Sequence, residues 1–225
     1  MFNKQKNKRH IFIVNPISGR NKNDKVVPLI SKLAKKHHLD YQIVYSRYHK
    51  HAIELAREHS KNKHNIIYAC GGDGTVNEVL NGLNLKCSMA VIPCGSGNDF
   101  YYSLDQKKID LASIIEETML GEPVVIDYGS ANSHRFLNIT NLGFDAKINY
   151  LASEKYRYHH LIPLKLIYIF AALKCAFKPE LIKLNINIDK LKIKKDSLLM
   201  VVANGKRYGG GFKATPQATL NDGYL

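Results

Sequence analysis

Residues 68–80 read YACGGDGTVNEVL. Three glycines surround one aspartate, directly after the apolar run NIIYAC (65–70) and directly before a stretch with helical spacing. Glycine loses more conformational freedom on folding than any other residue. A cluster of it therefore marks a place where something approaches the main chain closely or the backbone reaches positive φ. A tight turn needs one or two glycines. Three of them between a strand and a helix point to main-chain N–H groups converging on an anion, with the helix N-terminus adding its positive end. The acidic Asp73 inside such a site makes sense if it acts on a divalent cation, because Mg²⁺ keeps several waters and is held by few carboxylates together with phosphates.

The surrounding sequence repeats this arrangement. Strand signals at 11–16 (IFIVNP), 41–46 (YQIVYS), 65–70 and 89–94 (MAVIPC) alternate with helical spacing at 26–38, 51–60, 76–83 and 109–120. Short apolar strands alternating with amphipathic helices predict a parallel sheet covered on both faces, with ligands beyond the carboxyl ends of its strands. Those ends carry NPISG (15–19), Tyr45-Ser46, GGDGT (71–75) and PCGSGND (93–99). Gly95 and Gly97 flank Ser96, whose hydroxyl can bond a phosphate or sugar oxygen, and Asp99 is a second carboxylate. Asn15 and Ser18 add short hydrogen-bonding side chains, and Gly19 permits close approach. A GxxxxGK[ST] loop, an HRD or DFG set and a GxGxxG after the first strand are all missing, so the nucleotide site predicted here is of another kind.

After Gly121 the pattern changes, which predicts an α/β domain over 1–122 and a mostly antiparallel β domain over 123–225. Residues 124–147 read as short strands and turns, and 181–195 alternates Ile182, Leu184, Ile186 and Ile188 with polar residues. Between them, 156–177 is the most apolar helical segment. Its longest charge-free run, Leu166 to Leu173, has 8 residues, against the ~20 that span a bilayer.

The bulk composition bounds the partners. With 225 residues, 45% hydrophobic and 23% charged, the chain buries a real core, and disorder is excluded. Cys70, Cys87, Cys94 and Cys175 form no CxxC pair or zinc spacing, and the basic N-terminus lacks a secretory apolar region; both fit a cytoplasmic protein with reduced thiols. The net charge is +14, and residues 147–195 alone hold 11 basic and 3 acidic side chains. That excess beside an apolar helix predicts peripheral docking on the inner, anionic membrane surface. Nucleic acid is not expected, because few basic–aromatic platforms occur. His37, His38, His159 and His160 read as solvated helix residues.

NPISG, CGGDGTVNEVLNGL, IPCGSGNDF, GFDA (143–146) and ANGKRYGGGFKATPQATLNDGYL (203–225) resemble, in order, the diacylglycerol kinase catalytic family, in the branch of bacterial soluble lipid kinases related to sphingosine kinases and more distantly to NAD kinases. The Asn77-Glu78 pair, fused to GGDGT, argues for the lipid branch. The resemblance implies an ATP-dependent, Mg²⁺-dependent transfer of the γ-phosphate to a lipid hydroxyl, diacylglycerol giving phosphatidic acid. The alternatives are a nucleotide binder of impaired activity and an NAD-kinase-like enzyme with a soluble acceptor. By resemblance the nucleotide touches Asn15, Pro16, Ile17, Ser18, Gly19, Ser46, Gly72, Asp73, Gly74, Thr75, Val76, Asn77, Glu78 and Ser96. Asp73 and Asp99 serve the phosphates and their magnesium. A second, structural Mg²⁺ falls on Asp222 with the carbonyls of Thr219 and Tyr224, where the residues alone read as a hairpin turn. The family often has glycine where this chain has Lys50. A homodimer stays open.

In the family the chain runs on past the position of NDGYL and supplies an acidic general base for the lipid hydroxyl. No matching segment is present, and nothing in the spacing of Asp127, Asp145 or Glu154 marks a substitute. The expectation is a chain that binds ATP–Mg²⁺ and phosphorylates lipid poorly.

Overall fold

The computed structural model describes residues 8–19, 23–104, 110–158, 162, 164–177 and 179–225. The first strands and helices follow the predicted alternation: β1 (Arg9–Val14), α1 (Asn23–Lys36), β2 (Asp40–Tyr45), α2 (His51–His59), β3 (Asn65–Gly71), α3 (Asp73–Gly82), β4 (Ser88–Pro93), α4 (Asp99–Ser103) and α5 (Leu111–Leu120). The four strands form one parallel sheet in the order β2-β1-β3-β4. All seven residues of β3 are buried, as expected of a central strand covered on both faces. On one face Val76, Val79 and Leu80 of α3 and Ala52 and Ala56 of α2 pack on Ile11, Ile13, Ile67 and Ala69. On the other, Val26, Ile30, Leu33 and Ala34 of α1 and Ile115 and Met119 of α5 pack on Phe12, Val14, Tyr68 and Cys70. Because β2 lies on one side of β1 and β3 on the other, the strand order reverses between β1 and β3, which opens a crevice at their carboxyl ends.

The rest of the chain is β5 (Gly129–Ala131), β6 (His134–Phe136), β7 (Ile139–Gly143), α6 (Phe144–Tyr158), α7 (Leu164–Phe177), β8 (Ile182–Ile188), β9 (Leu191–Ser197), β10 (Leu199–Ala203), β11 (Arg207–Tyr208) and β12 (Phe212–Lys213). The pairs β5–β6, β8–β9 and β11–β12 are antiparallel. The architecture is thus a parallel sheet with flanking helices followed by an antiparallel, sandwich-like β region. Two compact units emerge: the residues up to Asn138 together with Ala203–Leu225, and Ile139–Val202.

In the second unit, Ile148 and Ala152 of α6 pack on Ile167, Ala171 and Cys175 of α7. The opposite stripe of α7, Leu166, Ile169, Phe170, Leu173 and Phe177, is exposed. Two sequence expectations are corrected here. Residues 144–147 open a helix instead of continuing strands and turns. Gly143 at φ 91 ends β7, and Phe144, Ile148, Leu151 and Ala152 then recur at helical spacing. The apolar segment 156–177 is also not one helix, since α6 ends at Tyr158 and α7 begins at Leu164. Among the described residues no helix is long and apolar enough to cross a membrane.

All four cysteines are buried thiols, with no disulfide among the described residues. His37 is not merely solvated: its Nε2 lies 2.5 Å from Glu116 Oε1, which also accepts from Lys36 Nζ at 2.7 Å, tying α1 to α5. These contacts hold the Glu116 carboxyl below its ordinary pKa, the Lys36 bond contributing most. His159 and His160 lie outside the described residues.

Candidate active site

Three backbone bonds run just past the strand ends and set the starting points of the loops. Asn15 N donates to Cys70 O (3.0 Å), Cys94 N to Gly71 O (3.0 Å) and Ser46 N to Val14 O (2.9 Å). The NPISG, GGDGT and PCGSGND loops therefore leave the sheet at one end. Gly72 is where they meet. A Cβ added there would lie 3.2 Å from Gly95 Cα and 3.8 Å from Ser18 Oγ, and one added to Gly95 would lie 2.4 Å from Gly72 Cα. The two glycines face each other because no side chain fits between the loops. Gly71 is glycine for a related reason: the Thr75 side chain folds back to 2.3 Å from where its Cβ would stand. Thr75 Oγ1 accepts from Asn15 Nδ2 at 3.1 Å, which fastens the first loop to α3.

The N-terminus of α3 has no side-chain cap. Val76 N already bonds Gly72 O, so the main-chain groups of Asp73, Gly74 and Thr75 present the uncapped end of the helix, where the dipole favours negative charge. Among the described residues, a Cβ on Gly74 would meet nothing within 4 Å. Packing against the described residues does not require this glycine, and its backbone is open on that side.

Asp73 bridges to the next loop. Its Oδ2 accepts from Asp99 N (3.1 Å) and its Oδ1 from Phe100 N (3.0 Å), capping α4 from 26 residues away. Asp99 is buried. Its Oδ2 accepts from Gly210 N at 2.8 Å, while its Oδ1 is buried without a hydrogen-bond partner among the described residues. A Cβ on Gly97 would be 3.2 Å from Asp73 Oδ2 and 3.7 Å from Asp99 Oδ2, so both carboxylates border one small space. A buried, unpaired carboxylate oxygen is costly unless something pairs with it. An all-oxygen donor pair of this kind fits a hard divalent cation.

The remaining predicted residues divide by position. Gly19 adopts φ 69. Glu78 Oε1 accepts from Lys50 N (3.2 Å) and lies 3.4 Å from His49 Nδ1, which joins α3 to the loop after Ser46. Lys50 itself has φ 69, a conformation in which glycine is unstrained, so a lysine occupies a glycine-like position here. Pro16, Ile17, Asn77 and Ser96 are exposed, whereas the Val76 side chain is buried in the core. At the other predicted metal position, Thr219, Asp222 and Tyr224 are exposed; Asp222 Oδ1 accepts from Tyr224 N, and Gly223 N donates to Asp127 Oδ2 at 2.7 Å. Among the described residues no group of three or more His, Cys, Asp or Glu side chains could hold a metal. Asp145 is held by Asn141 Nδ2 at 2.7 Å, and burial pushes its carboxyl pKa up.

Two contributors carry no predicted role in the sequence. Gly210 reaches Asp99 from 111 residues away, a contact no local pattern signals. Asn98 sits at φ 57, and its preference for that left-handed region is the one hint the sequence offers.

The diacylglycerol kinase catalytic domain matches residues 9–131, and the YegS C-terminal NAD kinase beta sandwich-like domain matches 138–225. The chain belongs to the diacylglycerol kinase catalytic family, a family of lipid kinases. A Bacillus subtilis protein provisionally named a lipid kinase, YtlR, is 30% identical over 231 residues, covering 92% of this chain and 72% of its own. The diacylglycerol kinase of Staphylococcus saprophyticus is 28% identical over 222 residues, covering 97% and 71%. The crystal structure of a Bacillus anthracis protein provisionally assigned as a diacylglycerol kinase superposes with a TM-score of 0.75 at 25% identity, covering 97% of this chain and 73% of that one.

Proposed function

We propose that the chain transfers the γ-phosphate of ATP to a lipid hydroxyl, with diacylglycerol the acceptor and phosphatidic acid the product. The observation that carries this reading is the meeting of the three loops at Gly72, beside an uncapped helix N-terminus and the unpaired Asp99 oxygen. Phosphoryl transfer needs positioning and charge stabilisation more than covalent chemistry. The α3 N-terminus and the open backbone at Gly74 receive phosphate oxygens, and Ser18 and Ser96 offer hydroxyls. Asp73 and Asp99 would hold Mg²⁺, directly or through water, and the ion would neutralise charge developing on the phosphates. Asp73 also fixes α4, so one carboxylate both orients Asp99 and borders the cation space. At the 219–224 turn, Asp222 with the carbonyls of Thr219 and Tyr224 is proposed to hold a second, structural Mg²⁺.

The exposed stripe of α7 and the lysine-rich 147–195 window support peripheral docking on an anionic bilayer. Each basic residue near such a surface contributes ~1 kcal/mol within a Debye length. Docking should weaken as salt rises, and equal sedimentation with neutral and anionic vesicles at low salt would remove the electrostatic part. The deciding assay supplies radiolabelled ATP with diacylglycerol, phosphatidylglycerol, a polyprenol, a sphingoid base or NAD⁺. Label on diacylglycerol is the expected result. Label on NAD⁺ alone, or on no acceptor, would overturn the lipid assignment.

A further inference from the structure

We infer that Asn98 is a positioning residue for ATP, acting through Gly95 and the loop that carries Ser96. The inference rests on ATP binding at this site. The Asn98 side chain closes on its own loop: Oδ1 accepts from Gly95 N at 2.8 Å and Nδ2 donates to Gly95 O at 2.9 Å. Both bonds are buried, and Asn98 is 8% exposed. The two bonds fix Gly95, the residue packed most closely against Gly72 among those described.

A closed circuit results. Gly72 precedes Asp73; the Asp73 carboxylate accepts from Asp99 N and Phe100 N; Asn98 precedes Asp99 and clamps Gly95; and Gly95 abuts Gly72. Every member of this circuit except Asn98 is a phosphate-loop glycine, a carboxylate of the site or an α4 amide. Within it the exposed Ser96 stands directly after the clamped Gly95. Without the clamp, residues 95–97 keep two glycines and lose these two bonds, so ordering the loop becomes a larger cost of each binding event.

Two substitutions separate positioning from plain structural support. Asn98→Gly keeps the left-handed backbone without strain and removes both side-chain bonds. Asn98→Ala removes the same bonds but keeps a Cβ at φ 57, now without the local side-chain bonds that let asparagine tolerate that region. Titration calorimetry of the full chain with ATP–Mg²⁺ should give a dissociation constant raised about tenfold, and equally, in both variants. Thermal denaturation without nucleotide should fall further for Asn98→Ala than for Asn98→Gly. Amide hydrogen exchange at Gly95 to Gly97 should quicken in both. Parent-like ATP affinity in Asn98→Gly would overturn the inference, as would affinities that follow melting temperature across the two variants. Failure of the parent to bind ATP would overturn the nucleotide site itself, and this inference with it.

Discussion

Gly71, Gly72 and Gly95 differ from the 209–211 triplet in why they are glycine. At 71, 72 and 95 a Cβ would collide with, or press hard against, Thr75 or the opposing loop, and none of the three has positive φ. At Gly209, Gly210 and Gly211 a Cβ would meet nothing within 4 Å, but φ is 65, 87 and 114. The first group is dictated by neighbours and the second by the dihedral angle. The first set therefore belongs to a packed junction whose position other atoms define, whereas the second lets the chain turn so that Gly210 N can reach Asp99. Gly74 belongs to neither set, since it has neither a neighbour within 4 Å among the described residues nor positive φ; ligand access is the reason proposed for it here.

The largest effect should come from the carboxylate that ties the packed junction together. Asp73→Asn is expected to lower lipid phosphorylation by about 10²–10³-fold, because charge placement in the transition state is lost. The variant should still fold, the amide oxygen keeping one of the two α4 bonds. Steady-state kinetics beside circular dichroism checks this, and an unchanged kcat in a folded variant would remove Asp73 from the mechanism.

Next in size, Gly95→Ala must push Gly72 backbone aside, and overpacking of this kind costs about 1–3 kcal/mol. Urea unfolding should show the loss together with weakened ATP binding. Gly210→Ala meets open space and pays only for its dihedral, roughly 1–2 kcal/mol. Its defect should lie in stability and in the Asp99 contact, and not in the Gly72–Gly95 junction. If Gly210→Ala proved the more damaging of the two in unfolding, the contrast between the segments would fail.

Gly74→Ala sharpens the contrast with the smallest change in stability. Alanine is favoured over glycine in a helix by about 1 kcal/mol, so the melting temperature should hold or rise. ATP affinity should nonetheless fall, because the methyl group stands where phosphate approaches. Parent-like affinity would mean that the open space at Gly74 holds only solvent.

The parallel sheet and its loops were legible because each central strand is a short apolar run and each loop follows directly in sequence. β3 and GGDGT need no distant information to be placed. The circuit through Asp73 was not legible: the carboxylate that reads as a magnesium ligand is also the cap of a five-residue helix that begins 26 residues later. A helix that short leaves no periodicity. The start of α6 was missed because GFDAK follows several short strands, and the positive φ that ends β7 is visible only in the backbone. Lys50 hid its glycine-like conformation behind a side chain that rarely adopts it.

The chain leaves the first unit at Asn138 and returns to it at Ala203. On return, Asn204 N and Gly205 N both donate to Asn138 O, while Asn204 Nδ2 donates to Asp127 O and Leu137 O. During synthesis those carbonyls wait while residues 139–202 are made, roughly 3–13 seconds at 5–20 residues per second. For that interval the nascent first unit lacks Asn204, Lys206 and Gly210, so Asp99 and Ser103 are made well before Gly210 N and Lys206 N, which donate to them. The order of translation thus leaves Asp99 Oδ2 and Ser103 Oγ without these two donors until residues 206–210 have been made.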